Sequence, residues 1–592
     1  MSILLIVPPA ALSMANGPPL GAVVVQNMLE RGGIPTRLYD ANIAFLRYLM
    51  RPEVSREISG ILNTRINTLL DRTELTVAEL STLGRTITFA VYEEGRTNGS
   101  NIHRIGMDWA AVSEILLDRQ KDEYPDRICA CIRDDAFDHI VSEIMALKPC
   151  HIAFSALFHI QYDSLIAISK LLRQRGFSGR IVIGGAATKL SGDGLLTRLL
   201  RESSADLIYT LDLHSPPDDL IAYLSGATTS DSVYGAVVLE TGKDNSQTDI
   251  RRVPITHQSK RRLVGPLTYR SPAGGMYFEE RNYPIFVSEG CYWGKCDFCD
   301  YPYLASRDPL LVRTAFRQPA DVISDIEHVA KDHGVSRFDL ISDAVPLGYF
   351  PRLVSAGGER LQQQGIAMEC SIRAEPRAKQ SQFNDMAKIG VDAITIGVEV
   401  LADDVLLAMG KGNTYADILR TINFARRAGI RVKTNLIIDH PRIASHHLSE
   451  MISRLEDLTP LVESIGVHAF SLSPYAPIAN DLENVGIELI PSREERTTDH
   501  GDHTLAFRRL NGDPELSTAL DTFRTAVEHA SFQLDKRHGR LPPTARLITL
   551  PYRWWRNGAK QDANGGNIVL KIPGESAPFE YFAPDTGHLG HE

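Results

Sequence analysis

Short apolar runs alternate with amphipathic stretches along two parts of the chain, which is typical of parallel sheets covered by helices. In the first part, β-rich runs predict five strands, at residues 3–7, 36–39, 151–157, 180–184 and 206–209. A polar, helix-like stretch over about 41–147 interrupts the alternation and predicts a mostly helical insertion. We therefore expect an α/β fold that starts with a doubly wound, Rossmann-like domain over residues 1–225.

A second series of alternating segments starts at residue 284. It predicts six strands, at 285–288, 337–341, 367–372, 393–398, 431–438 and 464–472. Six such units predict a partial (β/α)6 barrel of the TIM type over 284–478, with reactive groups at the carboxyl ends of its strands. Residues 226–283 are rich in Ser, Thr, Gly and Pro, so they predict a linker with one short strand at 237–240. Residues 479–592 predict a small C-terminal α+β domain, in which the aromatic and basic cluster at 552–556 is a possible substrate contact.

Composition restricts the class of protein. Hydrophobic residues make up 43% of the 592 residues, charged residues 23%, and the formal net charge is -10. Apart from the short run at 260–262 there is no basic tract, so we expect no nucleic-acid partner. The first residues lack a basic segment and no apolar run approaches the ~18 residues of a membrane span. The expected location is the cytoplasm, with no membrane partner.

Three of the seven cysteines crowd into nine positions, which suggests a metal or cluster site rather than disulfides. Cys291, Cys296 and Cys299 directly follow the first barrel strand and so lie at the predicted catalytic face. Three thiolates can hold three irons of a cubane cluster and leave the fourth iron open to a ligand. Trp293 and Phe298 would help to exclude water from this site.

Three other uses of these cysteines remain open. A structural zinc site needs four ligands, and no fourth Cys or His lies at a suitable spacing. The spacing C-x4-C-x2-C also occurs in plant-type ferredoxins, but the only later cysteine, Cys370, falls on a predicted strand and reads better as a buried thiol. Inert, buried cysteines are also conceivable, although a glycine-bounded aromatic loop is an unusual place for them. The sequence favours a cluster with an open iron.

With these cysteines the chain resembles the radical S-adenosylmethionine superfamily, in particular its cobalamin-binding, methyltransferase-like branch, over residues 1–475. The resemblance implies that Cys291, Cys296 and Cys299 are catalytic residues that ligate a 4Fe-4S cluster, whose open iron is chelated by S-adenosylmethionine. The usual family spacing is C-x3-C-x2-C, so this chain has one additional residue between the first two cysteines.

The resemblance also implies a set of residues that bind S-adenosylmethionine. Phe298 matches the aromatic residue that flanks the adenine. Gly397 and Glu399 end the fourth barrel strand and resemble the family's Gly-x-Glu, whose carboxylate contacts the sugar or the amino group. Asp343 and Arg373 end the second and third strands, where they are expected to bind the methionine amine and carboxylate.

The first domain resembles the cobalamin-binding fold in its loops. The implied cobalamin-binding residues follow the third and fourth strands and are Ser155, Ala156, Gly184 and Gly185. Glycines in such loops permit close approach of the backbone to a large ligand. Residues 212–214 match the first three positions of the cobalamin motif Asp-x-His-x-x-Gly, but Pro217 occupies the position of its glycine. We therefore expect cobalamin without a protein histidine ligand, and His214 as an ordinary loop residue.

The chemistry implied by the resemblance is C-methylation of an unactivated carbon in a secondary metabolite or a peptide. The cofactors would be a 4Fe-4S cluster, S-adenosylmethionine and cobalamin, and an external reductant such as flavodoxin or ferredoxin would supply electrons. One alternative is a radical enzyme that rearranges, cyclises or epimerises its substrate without methylation. A second alternative is a non-catalytic protein that senses or transfers electrons.

Overall fold

The computed structural model describes residues 2–9, 18–49, 51, 53–54, 57, 127–210, 217–241, 248–254, 266–270, 282–300, 315–490, 505–510, 512–538 and the strands 560–561, 567–570 and 579–582. His214, the basic run 260–262, the cluster at 552–556 and most of the predicted insertion lie outside these residues. The ends of the insertion that are described form helices, Ala41–Leu49 and Arg127–Ala146.

A seven-stranded sheet forms the centre of the first domain, with strand order β2-β1-β3-β4-β5-β6-β7. Its strands are β1 (Ile3–Val7), β2 (Thr36–Asp40), β3 (His151–Ser155), β4 (Ile181–Gly184), β5 (Leu207–Tyr209), β6 (Ala236–Thr241) and β7 (Thr248–Arg252). The first five run parallel, and the five predicted strands are all present. Every residue of β1 is buried, as expected for a strand covered by helices on both faces.

Among the described residues, seven helices cover this sheet. They are Leu20–Arg31, Ala41–Leu49, Arg127–Ala146, Tyr162–Gln174, Ala186–Leu190, Asp193–Ser203 and Asp218–Leu224. In Tyr162–Gln174, the apolar positions recur at helical spacing, and Leu165, Ile168 and Leu172 are buried against the sheet. The parallel sheet with crossover helices is the doubly wound arrangement that the apolar pattern predicts.

The predicted linker over 226–283 is wrong in part. Strands β6 and β7 extend the first sheet by two antiparallel strands, so residues 236–241 and 248–252 belong to the first domain. The apolar pattern did not predict β7, because Thr248–Arg252 carries one apolar residue, Ile250. An antiparallel edge strand can bury one face only, so it does not need a continuous apolar run.

The second sheet is a parallel six-stranded partial barrel with strand order β15-β14-β13-β12-β11-β8. Its strands are β8 (Tyr283–Phe286), β11 (Arg337–Ile341), β12 (Ala367–Ile372), β13 (Val391–Glu399), β14 (Arg431–Ile437) and β15 (Ser464–His468). A short antiparallel pair, β9 (Ser288–Glu289) and β10 (Ala315–Phe316), follows β8 instead of one continuous strand over 285–288. The strand predicted to run to residue 472 ends at His468.

In the part of the barrel and the following segment that the structure describes, there are nine helices. They are Pro319–His333, Phe350–Ser355, Glu359–Gln363, Gln380–Lys388, Asp403–Ala408, Tyr415–Arg427, Ser445–Leu458, Leu482–Val485 and Leu516–Arg537. In Tyr415–Arg427, Thr414 caps the first turn by accepting a hydrogen bond from the Asp417 amide, which fixes the start of the helix at Tyr415.

The predicted C-terminal domain over 479–592 is only partly separate. Leu520, Phe523 and Val527 of the helix Leu516–Arg537 belong to the same buried core as the barrel. Two small antiparallel units also occur here, β16 (Ile487–Leu489) with β17 (Phe507–Arg509), and β18 (Lys560–Gln561), β19 (Asn567–Leu570) and β20 (Phe579–Phe582). The long helix therefore completes the wall of the barrel.

The first domain and the barrel share part of one buried core, and hydrogen bonds between their helices and loops also join them. The Asn27 side chain donates a 2.9 Å hydrogen bond to the Thr268 carbonyl and accepts a 2.8 Å bond from its amide. The Tyr475 hydroxyl, after β15, donates a 3.1 Å bond to the carbonyl of Leu190, after β4. This second contact joins the carboxyl-end sides of the two sheets, where ligands of parallel sheets bind. Within the described residues, no helix has the length and apolarity to cross a membrane.

Candidate functional site

The three clustered cysteines lie in a loop, residues 290–299, that directly follows β9 at the carboxyl end of the barrel. All three side chains are half-buried, so their sulfur atoms are neither sealed in the core nor fully in solvent. The Cys299 amide donates a 3.4 Å hydrogen bond to the Cys296 carbonyl, which closes the C-x2-C turn. The loop therefore presents its thiols at the face predicted to be catalytic.

The loop is anchored on residues 409–412, the turn that follows the helix Asp403–Ala408. The Asp297 amide donates a 2.9 Å hydrogen bond to the Met409 carbonyl, and the Trp293 Nε1 donates a 2.8 Å bond to the Gly410 carbonyl. Gly412 has a φ of 72°, and a Cβ there would overlap the Trp293 ring. Glycine at position 412 is thus required for both the turn and the contact with the indole.

A second anchor holds the segment between Cys296 and Cys299. Asp297 forms a 2.9 Å ion pair with Arg442, and its carbonyl accepts a 2.8 Å hydrogen bond from the Ile478 amide. The fully buried His440 packs edge-on against Phe298, with 6.1 Å between ring centroids. Burial, together with nearby Arg442 and Arg509, lowers the pKa of His440 to about 3, so its imidazole is neutral.

Glu399 and Lys411 form a buried ion pair beside the cysteine loop. The Lys411 Nζ donates a 2.7 Å hydrogen bond to Glu399 Oε1, and the two side chains are only 6% and 15% exposed. Glu399 has a φ of 66°, where a non-glycine residue is strained, and its carboxylate lies against Gly397. The strand end therefore holds this carboxylate in one defined position, and backbone strain of this kind often marks a functional residue.

Arg373, at the end of β12, is a buried cation with an unused donor. It is 7% exposed, and one terminal nitrogen donates to the Lys411 carbonyl. The guanidinium lies over the Trp293 ring, 4.0 Å from the ring centroid. Its Nε has no hydrogen-bond partner among the described residues. A buried, unpartnered donor on a charged group is unfavourable, so it indicates a place for an anion or another acceptor.

The electrostatics of Cys296 show which charged groups surround the thiols. Burial is the main cause that raises the pKa of Cys296, whereas the nearby cations Lys411 and Arg373 lower it. Cys291 and Glu399 are close enough to raise the pKa of Cys296, in opposition to these cations. The structure thus brings together four of the residues predicted from the barrel, Cys291, Cys296, Arg373 and Glu399.

The remaining barrel predictions are placed as follows. Phe298 belongs to the cysteine loop, where its ring packs against His440 and its centroid lies 6.0 Å from the Lys411 Nζ. Asp343 is exposed in the segment after β11, at the same end of the barrel as the cysteine loop. Cys370 is buried on β12, and this burial raises the pKa of its thiol strongly. The expected role of Cys370 as a buried thiol fits this placement.

The four residues predicted to bind cobalamin converge at the carboxyl ends of β3 and β4. Ser155 pairs with Gly184 in register, and the Ala156 amide donates a 2.8 Å hydrogen bond to the Gly184 carbonyl. Gly185 has a φ of 110°, and a Cβ there would overlap the Ala156 backbone. The structural reason for Gly185 is therefore close packing of two strand ends, which differs from the direct approach to a ligand expected from the sequence.

One histidine near this edge was not singled out by the sequence. His159 is buried, and its Nε2 lies 3.0 Å from Ser191 Oγ and 3.1 Å from the Ala187 carbonyl. The Tyr162 hydroxyl joins the same network at 2.9 Å from Ser191 Oγ. With Nε2 engaged in this way, His159 orders the segment after β4, a role that sequence spacing does not reveal.

The arrangement of the cysteines also bears on the zinc alternative. In a tetrahedral zinc site the sulfur ligands lie about 3.8 Å apart. Among the described residues, the only three Cys, His, Asp or Glu ligand atoms within 4.8 Å of one another belong to Asp404, His446 and His447. In that group, both ring nitrogens of His447 are occupied, by the Ala444 amide and by Asp404. The three cysteine sulfur atoms are therefore not all within 4.8 Å of one another, which is wider than the ligand spacing of a mononuclear zinc site.

Residues 285–455 match the family model of the radical SAM superfamily. This segment contains the cysteine loop, Arg373 and Glu399, and it is a radical SAM domain. No curated protein matches the sequence of the chain.

Solved structures extend the similarity to nearly the whole chain. The radical S-adenosylmethionine methyltransferase TsrM from Kitasatospora setae, with cobalamin and a 4Fe-4S cluster bound, is 12% identical, with a TM-score of 0.56 over 94% of this chain and 96% of that chain. TsrM with tryptophan substrate and a SAM analogue bound gives a TM-score of 0.52 at 12% identity, over 92% of both chains. The cobalamin-dependent S-adenosylmethionine radical enzyme OxsB, with aqua-cobalamin and S-adenosylmethionine bound, gives 0.55 at 12% identity, over 93% of this chain and 70% of that chain. These similarities confirm the predicted fold class.

Proposed function

We propose that this protein is a cobalamin-dependent radical SAM enzyme, and that it methylates an unactivated carbon of a secondary metabolite or a peptide. The observation that carries the proposal is the buried Arg373, whose Nε lacks a partner among the described residues, beside three half-buried thiols. A cation in this position can bind a carboxylate that enters with a ligand of the cluster.

The residues around the cysteine loop fit a 4Fe-4S cluster with bound S-adenosylmethionine. Cys291, Cys296 and Cys299 would hold three irons, which leaves one iron for the amine and carboxylate of the methionine group. Arg373 would bind that carboxylate, and Glu399, fixed by Lys411 at 2.7 Å, would accept hydrogen bonds from the amino group or the sugar. Phe298 and Trp293 are half-buried aromatic residues of the same loop and would exclude water from the cluster.

The carboxyl edge of the first sheet fits a large, flat ligand such as cobalamin. Ser155, Ala156, Gly184 and Gly185 form its rim. Leu157 and Phe158 follow the rim and are 43% and 38% exposed, and exposed apolar groups at such an edge indicate a binding surface. The Nε2 of His159, the nearby buried histidine, is engaged with Ser191 and the Ala187 carbonyl, in keeping with cobalamin that lacks a protein histidine ligand.

The contact between Tyr475 and Leu190 supports a shared reaction space, because it brings the carboxyl-end sides of both sheets together. When bound, the cluster and S-adenosylmethionine supply a radical that removes a substrate hydrogen, and cobalamin supplies the methyl group. The chain itself contributes binding, orientation and exclusion of water. TsrM and OxsB, which share this fold, bind cobalamin in their solved structures, and the TsrM complex with tryptophan supports a small-molecule substrate.

The test is anaerobic reconstitution with iron, sulfide and hydroxocobalamin, followed by incubation with methyl-labelled S-adenosylmethionine and a strong reductant. The proposal predicts bound corrinoid, 5'-deoxyadenosine and S-adenosylhomocysteine, with label in an added substrate fraction. Formation of 5'-deoxyadenosine without corrinoid or methyl transfer would favour a non-methylating radical enzyme. Absence of both nucleoside products would favour an electron-transfer or sensor protein and would contradict the proposal.

A further inference from the structure

Trp293 is held by contacts on several sides. Its Nε1 donates a 2.8 Å hydrogen bond to the Gly410 carbonyl, and Gly412 packs against its six-membered ring. Two cations lie over the indole: the Arg373 guanidinium is 4.0 Å and the Lys295 Nζ 4.9 Å from the ring centroid. A tryptophan with this many specific contacts has one orientation, and it fixes the groups that stack on it.

Arg373 is the group whose orientation depends most on this stack. Its guanidinium is buried, and the stack occupies its face while one terminal nitrogen donates to the Lys411 carbonyl. Its Nε, in contrast, has no partner among the described residues. Stacking on an aromatic face leaves the in-plane donors of a guanidinium available, so the indole can hold Arg373 and still leave the Nε donor for an anion.

Trp293, which stacks on Arg373, lies in the gap between the first two cysteines, where this chain has one residue more than the usual spacing. Four residues separate Cys291 from Cys296, and Trp293 is the second of them. Trp293 thereby connects the cluster loop to the end of β12, which carries Arg373, and to the turn at 410–412.

We infer that Trp293 is a positioning residue, which couples the cysteine loop to the binding of S-adenosylmethionine by orienting Arg373. The inference rests on the proposed function and deepens it. Trp293 touches neither the substrate nor the reacting atoms in this scheme. It acts through Arg373, so its loss weakens S-adenosylmethionine binding more than it weakens cluster assembly.

The test compares Trp293→Leu with Trp293→Phe in the reconstituted full-length protein. The readouts are iron and sulfide content, and the change in the EPR spectrum of the reduced cluster as S-adenosylmethionine is titrated. The leucine variant keeps the wild-type iron content and raises the dissociation constant for S-adenosylmethionine about tenfold, the scale of a desolvated cation–π contact. The phenylalanine variant, which retains an aromatic face, stays within about threefold of wild type.

A matched control is Tyr223→Leu, because Arg180 lies over the Tyr223 ring at 3.9 Å in the first domain, remote in sequence from the cysteine loop. This variant should titrate as wild type. If Trp293→Leu assembles too little cluster to titrate, Gly412→Ala, which displaces the ring without changing Trp293, should give the same weakening. Wild-type affinity in the leucine variant, or equal impairment of the leucine and phenylalanine variants, would overturn the inference. A wild-type spectrum that does not respond to S-adenosylmethionine would instead contradict the proposed function.

Discussion

Replacing Lys411 by Met leaves the Glu399 carboxylate buried without its partner. At the observed 2.7 Å and an effective dielectric constant of about 20, the attraction between the two charges is about 6 kcal/mol, and desolvation of both groups offsets most of it. Removal of one charge keeps the desolvation of the other, so the expected destabilisation is about 3–5 kcal/mol. The strained backbone of Glu399, with a φ of 66°, loses its main support at the same time.

Native-state hydrogen exchange is the suitable assay, because it reports the free energy of local opening in a protein with more than one sheet. In Lys411→Met, the amides of β13 should exchange with an opening free energy lower by the stated amount. The matched control is Lys388→Met, whose 3.4 Å pair with Asp385 is 54% and 21% exposed and should contribute about 0.5 kcal/mol or less. The double variant with Glu399→Gln should regain at least about 1 kcal/mol. If Lys411→Met behaves like the control, the pair does not hold this strand end.

Three further predictions concern other parts of the structure. Burial, reinforced by Glu369 and opposed by Lys433, raises the pKa of Asp339 to about 6, so the folded protein binds this proton more tightly than the unfolded chain. Asp339→Asn should therefore increase the free energy of unfolding at pH 8 by up to about 3 kcal/mol, and this stabilisation should decrease as the pH falls from 6 to 4. A stabilisation that increases on acidification would contradict the prediction. Cys370→Ala should leave the iron and sulfide content unchanged, and a loss of iron would make this buried thiol a fourth ligand. Tyr475→Phe removes the 3.1 Å hydrogen bond to the Leu190 carbonyl. Hydrogen exchange should then show an opening free energy of the helix Ala186–Leu190 that is lower by about 1 kcal/mol. Unchanged protection of these amides would show that this contact does not join the two domains.

The sequence predicted the parallel strands well because their apolar runs are short, buried and bounded by turn residues. The strands Ile3–Val7, Arg337–Ile341 and Ala367–Ile372 occur at the predicted residues. The edge strand β7 escaped prediction because Thr248–Arg252 is mostly polar. The helix Leu516–Arg537 was assigned to a separate domain because periodicity shows which face is apolar, but not which core that face joins.

The sequence predicted those site residues whose type and position both indicate a chemical role. The cysteines, Arg373 and Glu399 stand at strand ends, where parallel sheets bind ligands, so position and residue type agree. Their anchors could not be predicted, because the contact of Trp293 with Gly410 depends on a turn more than a hundred residues away in sequence. The left-handed backbone of Glu399 leaves no trace in the sequence at all.

The proposed function requires that three thiolates hold a cluster and leave one iron open to S-adenosylmethionine. The most direct test is EPR spectroscopy of the anaerobically reconstituted and reduced protein, with and without S-adenosylmethionine. We expect about four irons and four sulfides per chain and a spectrum that changes when S-adenosylmethionine binds. A full cluster signal that persists after Cys291, Cys296 and Cys299 are all replaced by alanine would contradict it.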